Sequence, residues 1–296
     1  MTQNLKFGRT YRVTIEMNDT PEGQPKPDPI VITLPFTMQF TVNRKIASNM
    51  NTCTVEIYNL GKRVRDLIFQ EPWVASPAKK TLTLEAGYET MATIYKGTVW
   101  EAFSYRDDTD IITAINCLSG SWEINNSTVY TTLVKGQTLG DLYKFLTGQM
   151  TGLQTGAIGD FPQVIQRPVT LNGNAWDIFK TYSNNQVFID NDKVYVLQRN
   201  EAIEGEIGII NIDTGILQTP KRAAGYVQVQ TMFEPRVRLG QSMNLDSTVM
   251  PIYNGTYKVN GIQHTGIISA AVGGDCRTII DLFAGNLTFK TVRENG

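Results

Sequence analysis

The sequence predicts a mainly β protein, α+β overall, in which two β modules, each a barrel or a sandwich, flank a small α+β insert. Three observations predict it. Two distant stretches repeat one pattern, the first opening with Tyr95-Lys96-Gly97-Thr98 and the second with Tyr253-Asn254-Gly255-Thr256. Apolar and polar residues alternate with period two on both sides of the middle, as in half-buried strands. Between them lies a segment with apolar residues at helical spacing. The expected boundaries are 1–120 for the first β module, 121–205 for the insert and 206–296 for the second β module.

The elements follow in order. Tyr11, Val13, Ile15 and Met17 alternate with Arg12, Thr14 and Glu16. Pro21, Pro25, Pro27 and Pro29 then mark an exposed extended arm, because proline cannot donate to a β-ladder. Alternation resumes at Phe36, Met38, Phe40 and Val42, again at Cys53, Val55 and Ile57, and again at Leu82, Leu84 and Ala86. Between the last two runs, Gly61 to Phe69 suits a short helix with Val64, Leu67 and Ile68 on one face. The first repeat copy ends in Thr113-Ala114-Ile115-Asn116 with Gly120 following. In the insert, Thr138 and Asp141 form a capping-box pattern ahead of Leu139, Leu142, Tyr143 and Leu146. Gly152, Gly156 and Gly159 read as a loop. A second helix over Asn174 to Asn184 leads into a hairpin, Val187 to Val196, turning at Asp190-Asn191-Asp192. Glu201 and Glu204 read as linker residues. The β texture returns at Tyr226, Val227 and Val229, then at Met243 and Leu245. The second copy closes with Thr278-Ile279-Ile280-Asp281 and Gly285. Its longer excursion, between Gly261 and Cys276, is where the two copies differ most.

Composition narrows the function. A formal net charge of −1 and a pI near 6.0 give no attraction for a polyanion, which argues against a dedicated nucleic-acid binder. Charged residues are 19%, and the polar remainder is rich in Thr, Asn, Gln and Ser, a surface suited to strands and packed assemblies. The basic pairs Arg44-Lys45, Lys79-Lys80, Lys221-Arg222 and Arg236 with Arg238 are dispersed and expected on solvated faces. No signal-like N-terminus and no spanning apolar run occur, so folding in a cytosol is expected. Three cysteines, Cys53, Cys117 and Cys276, form no CxxC pair and are expected as small buried hydrophobes.

The order of landmarks in both halves resembles tailed-phage baseplate hub proteins of the late control D-like family, and the first part of type VI secretion spike proteins. In the second half these landmarks are Pro235, Gly240, Asn254, Gly255, Tyr257, Val259 and His264; in the first they are Val55 to Leu60, Gly97 and Tyr105 to Asp108. Gly120 and Gly285 close the two copies. The resemblance covers both β halves. The chain is short for the family, so fused lysozyme domains are not expected.

The resemblance implies two tube-protein-like barrels and a homotrimer whose barrels alternate around a ring. That pseudo-sixfold surface would adapt a hexameric tail tube above to a trimeric spike or central fibre below. It also implies other baseplate proteins as neighbours, DNA only in transit, no membrane binding, assembly in the bacterial cytoplasm and a final place in the virion tail tip.

Candidate chemistry is sparse, and no catalytic, cofactor or metal residue is expected. A nucleophilic triad would depend on the single histidine, His264, and no Gly-x-Ser-x-Gly elbow accompanies it. Asp107, Asp108 and Asp110 cluster in a turn that is either solvated or, with turn carbonyls, a Ca²⁺ candidate. Asp190 and Asp192 read the same way. A cell-wall hydrolase would need a distant carboxylate pair. A glycan binder would use exposed aromatics among Trp73, Trp100, Trp122 and Trp176, of which Trp100 and Trp176 are expected in the core. A tail-tube or distal-tail ring protein is the near structural alternative, and it would need only one barrel copy.

Overall fold

Alternation becomes strand wherever one parity can be buried. In the computed structural model, Met38, Phe40 and Val42 point into the core while Gln39, Thr41 and Asn43 stay half-exposed. The structure describes residues 8–18, 26–48, 50–73, 79–223, 225–270, 273–283 and 288–294. Pro21, Pro25 and Gly285 lie outside the described residues. Pro27 and Pro29 are exposed and irregular.

The first part contains β1 (Thr10–Met17), β2 (Ile30–Thr33), β3 (Met38–Lys45), β4 (Thr52–Tyr58), α1 (Lys62–Ile68), β5 (Lys80–Gly87), β6 (Met91–Asp107) and β7 (Asp110–Leu118). The middle contains α2 (Ser121–Asn126), β8 (Thr128–Leu133), α3 (Leu139–Gln149), β9 (Gln154–Ile158), β10 (Val169–Asn174), α4 (Ala175–Ser183), β11 (Val187–Asp190) and β12 (Lys193–Val196). The last part contains β13 (Glu201–Ile210), β14 (Lys221–Ala223), β15 (Tyr226–Met232), β16 (Gln241–Leu245), β17 (Gly255–Ile268), β18 (Cys276–Phe283) and β19 (Lys290–Val292).

The molecule is mainly β, as expected. One 14-stranded sheet joins the first and last parts, in the order β14-β15-β18-β17-β3-β4-β7-β6-β5-β1-β2, with β13, β16 and β19 branching from it. No closed barrel forms among the described residues. The seam between the two parts is β17 against β3, antiparallel from Gly261↔Lys45 to Ile268↔Met38.

Three apolar clusters lie beneath this arrangement. One belongs mostly to the first part and takes in Phe233, Ile268 and Cys276 from the last. A second fills the insert around Leu142, Tyr143, Leu146 and Phe179. The third joins the last part to Phe188 and Tyr195 of the insert, whose rings stack at 5.1 Å. Each fully buried aliphatic or aromatic side chain contributes about 1.5–3 kcal/mol by leaving water.

The helices start where their caps dictate. Thr138 accepts from the Asp141 amide and Asp141 accepts from the Thr138 amide, both at 3.1 Å, so the capping box forms with Asp in place of Glu. Asn174 caps α4 through the Trp176 and Asp177 amides, and Asn184 ends it in the left-handed region at φ 52°. α1 matches its expected span, yet only Ile68 of its apolar residues is fully buried, and Leu67 is exposed.

Two segments depart from the sequence reading. Residues around Gly156 form strand β9, parallel to β12, rather than a loop. Glycine there serves close packing, since a Cβ would fall 2.6 Å from the Tyr195 ring. Glu201 and Glu204 lie in β13 rather than a linker. Glu201 is buried and accepts from the amides of Gln198 (2.8 Å) and Asp160 (2.9 Å).

Candidate functional site: the seam between the first and last parts

Each repeat copy is an antiparallel hairpin with a bulge at the same step. In the first, Glu101 pairs with Asn116 and Val99 with Cys117, leaving Trp100 as the extra residue. In the second, Gly261 pairs with Asp281 and Val259 with Leu282, leaving Asn260 as the extra residue. Bulges re-aim a strand, so a shared bulge gives both copies the same bend. The next strand also matches. Thr54 lies opposite Asn116 and donates to it at 2.9 Å; Gln228 lies opposite Asp281 and donates to it at 2.9 Å.

Register corrects one detail of the repeat. Val99 corresponds to Val259, so Gly97 corresponds to Tyr257 and not to Gly255. The matching tetrapeptides are two residues out of step. Tyr95 and Lys96 lie within β6, whereas Tyr253 and Asn254 precede β17, so the tetrapeptides match in sequence without being structural equivalents.

Below the seam lies a buried polar cluster. Arg44 of β3 is 1% exposed. Its Nη1 donates to Asp190 at 3.2 Å to Oδ2 and 3.3 Å to Oδ1, and its Nη2 donates to the Val237 carbonyl at 3.0 Å. The same Nη2 lies 3.4 Å from His264 Nε2. On the far side of the ring, His264 Nδ1 meets Thr278 Oγ1 at 2.9 Å, and Phe233 packs edge-on at 5.6 Å. With Arg44 as donor, Nε2 is the acceptor and the proton sits on Nδ1. Burial, and then Arg44, hold His264 well below its ordinary value, so it stays neutral. Burial raises Asp190, with Arg44 opposing. Asn51 completes the group, donating to the Ile189 carbonyl at 2.8 Å and accepting from the Lys45 amide at 2.9 Å. One cluster thus ties together β3 of the first part, the second repeat copy and the insert. Its chemistry is positional, since His264 has no exposed surface through which to reach a substrate.

The opposite face of the same strands is polar and nearly balanced in charge. Gln39, Thr41 and Asn43 of β3, Thr54 and Glu56 of β4, Gln228 and Gln230 of β15, and Gln263 and Thr265 of β17 share it.

The other landmarks are backbone devices. A Cβ on Gly97 would fall 2.6 Å from the Tyr95 hydroxyl. Gly120 adopts φ 64° ahead of α2. Gly240 adopts φ 78° and bridges β13 to β17 through Ile203 and Val259, both bonds at 2.9 Å. Pro235 is buried in the turn after β15, Gly255 opens β17, and the Tyr257 hydroxyl donates to the Tyr253 carbonyl at 2.6 Å.

Several side chains lie elsewhere than expected. Arg44 and Asp190 are buried partners and not solvated. Lys80 is buried and donates to the carbonyls of Leu67, Ile68 and Phe69, closing the C-terminal end of α1. Trp100 is 40% exposed at its bulge, whereas Trp176 is core. Asp110 accepts from Asn59 at 2.8 Å, and among the described residues no group of three or more His, Cys, Asp or Glu is arranged to hold a metal. Arg44 was legible in principle, because it continues the buried parity of Met38, Phe40 and Val42.

A family model for the baseplate hub gp41 matches residues 10–265. The chain belongs to the baseplate hub gp41 family. It is therefore a structural protein of the phage tail and baseplate, and its place is the virion tail. Solved structures carry the same fold at very low identity. A 43 kDa tail protein of prophage MuSo2 from Shewanella oneidensis superposes with TM-score 0.58 at 7% identity, covering 92% of this hub-family chain and 98% of its own. A tail protein from Neisseria meningitidis gives 0.57 at 8%, covering 93% and 96%. The Escherichia coli c3393 protein, described as a type VI secretion component similar to the T4 tail proteins gp27 and gp5, gives 0.54 at 6%, covering 87% and 76%. No curated protein sequence matches the hub-family chain. No described helix is long and apolar enough to cross a membrane.

Proposed function

We propose that this chain is the trimeric hub of a phage baseplate, adapting a hexameric tail tube to a trimeric spike or central fibre. The observation that carries the reading is the shared bulge and flanking register of the β6–β7 and β17–β18 hairpins. A chain with two equivalent β modules turns three copies into six similar positions, while the insert and the unequal hairpin tips keep true threefold symmetry. The three proposed units are residues 1–120, 121–205 and 206–296, and the open sheet of each chain becomes a continuous wall once neighbours cover its edges. The polar, near-neutral face lines the passage, where weak contact lets DNA slide. Assembly is the function, and no catalytic step is assigned. The protein assembles in the host cytoplasm with tube, spike and other baseplate proteins as partners.

Light scattering and an end-on electron-microscopy average test this reading. The expected result is a ring of three chains with a central pore and six similar lobes. A native hexamer would instead favour a tail-tube or distal-tail ring protein, and a monomer at every concentration, alone and with tube or spike partners, would sink the proposal.

A further inference from the structure

The agreement between the copies extends to their outer strands. β14 stands against β15 as β3 stands against β4, with Lys221 opposite Gln228 where Thr41 is opposite Thr54. On the other side, the first strand of each hairpin divides at its bulge. The N-terminal part pairs with β5 in one copy and with β16 in the other, and Thr81↔Thr98 matches Ser242↔Lys258. The C-terminal part of β17 pairs with β3. The C-terminal part of β6 lacks that partner. Gln70 bridges Ala102, and beyond it no described strand runs along this edge from Phe103 to Asp107, all of which are exposed. β14, the counterpart of β3, ends the sheet path with its own outer edge uncovered.

We infer that β14 of a second copy of this chain pairs antiparallel with the β6 edge at Phe103–Asp107, repeating between chains the β3–β17 seam found within each chain. The register follows from the seam. Thr265 pairs with Thr41, so Tyr105 faces Lys221 of the partner subunit. Charge agrees with this docking on the face that carries Tyr105. Asp107 on the edge and Lys221 on β14 form no ion pairs among the described residues. In that register, Lys221 of the partner subunit stands diagonally from Asp107 on one face. The β6 edge also presents the exposed rings of Phe103 and Tyr105, with centroids 6.0 Å apart, for a neighbour to cover. Two different edges meet in this contact, so it is heterologous and propagates around a ring. Closure at three copies rests on the hub reading above; the pairing of these edges does not.

Cysteine cross-linking tests it on the full chain. Tyr105→Cys and Lys221→Cys would bring two Cα atoms within disulfide range across the seam, and the three native cysteines are buried. Thr41→Cys with Thr265→Cys probes the same register inside one chain as a positive control. Mild oxidation of the Tyr105→Cys/Lys221→Cys chain is expected to give covalent dimers and a closed trimer on a non-reducing gel. A mixture of the two single variants is expected to stop at dimers. An oligomer by light scattering that does not cross-link would overturn the edge assignment and leave the hub reading intact. A monomer throughout would overturn both.

Discussion

Arg44 and Asp190 form an ion pair at 3.2 Å, with the two side chains 1% and 9% exposed, where the β3–β17 seam meets the insert. Removing one partner of a buried pair leaves the other charge desolvated and uncompensated, at a cost of about 3–5 kcal/mol. Asp190→Asn is therefore expected to lower stability by that order in urea unfolding. Replacing both, as Arg44→Met with Asp190→Leu, is expected to cost less than the single change. A double variant no better than Asp190→Asn would argue that the other partners of Arg44, not the ion pair, hold the seam.

His264 makes stability depend on pH in a stated direction. The fold keeps its ring neutral, while the unfolded chain takes up a proton below about 6.5. Unfolding is therefore favoured as pH falls below that value, by up to about 1.4 kcal/mol per pH unit. Asp190 faces the same cluster with a value raised by burial, so its own linkage acts in the opposite sense. Urea midpoints between pH 5.5 and 7 are expected to fall on the acid side, and His264→Gln to flatten the slope. An unchanged slope in that variant would assign the effect to other groups.

Gly120 and Gly136 separate backbone strain from crowding. Both have positive φ, 64° and 101°, but a Cβ on Gly120 would lie 2.7 Å from Ile189 Cδ1, whereas one on Gly136 meets nothing within 4 Å. Gly136→Ala is expected to cost about 1 kcal/mol, the left-handed penalty alone. Gly120→Ala is expected to cost about 1–3 kcal/mol, since Ile189 must also move. Equal losses in thermal unfolding would show that Ile189 yields freely.

The polar face offers a test of the passage. Thr41→Lys, Thr54→Lys and Gln228→Lys introduce charge where side chains are half-exposed or exposed, so each is expected to change stability by no more than about 0.5 kcal/mol. Combined in the assembled ring, they are expected to create salt-sensitive retention of double-stranded DNA, because each added cation displaces condensed counterions. A gel-shift assay showing no retention would place this face away from the DNA path.

Much of the fold was legible because strands announce themselves locally. The parity of Met38, Phe40 and Val42, the Thr138–Asp141 cap and the turn after Ile189 are properties of neighbouring residues. What escaped notice depends on partners far away in sequence. Gly156, read as part of a loop, lies in β9, where Tyr195 needs the space that its missing side chain leaves. Trp100 keeps strand periodicity, yet the bulge turns it outward. Arg44 looked like half of a solvated basic pair because its partner Asp190 lies 146 positions on.

The sequence by itself determined the β-α+β-β texture, the doubling of one hairpin and the resemblance to baseplate hubs, because period, caps and turn residues act over a few positions. The tertiary structure alone decided that Gly97 corresponds to Tyr257, that Arg44, Asp190 and His264 form one cluster, and that the copies fuse into a single open sheet. Those outcomes depend on which strand edges find each other. Backbone hydrogen bonds carry no residue label, so pairing is chosen by packing across the whole chain.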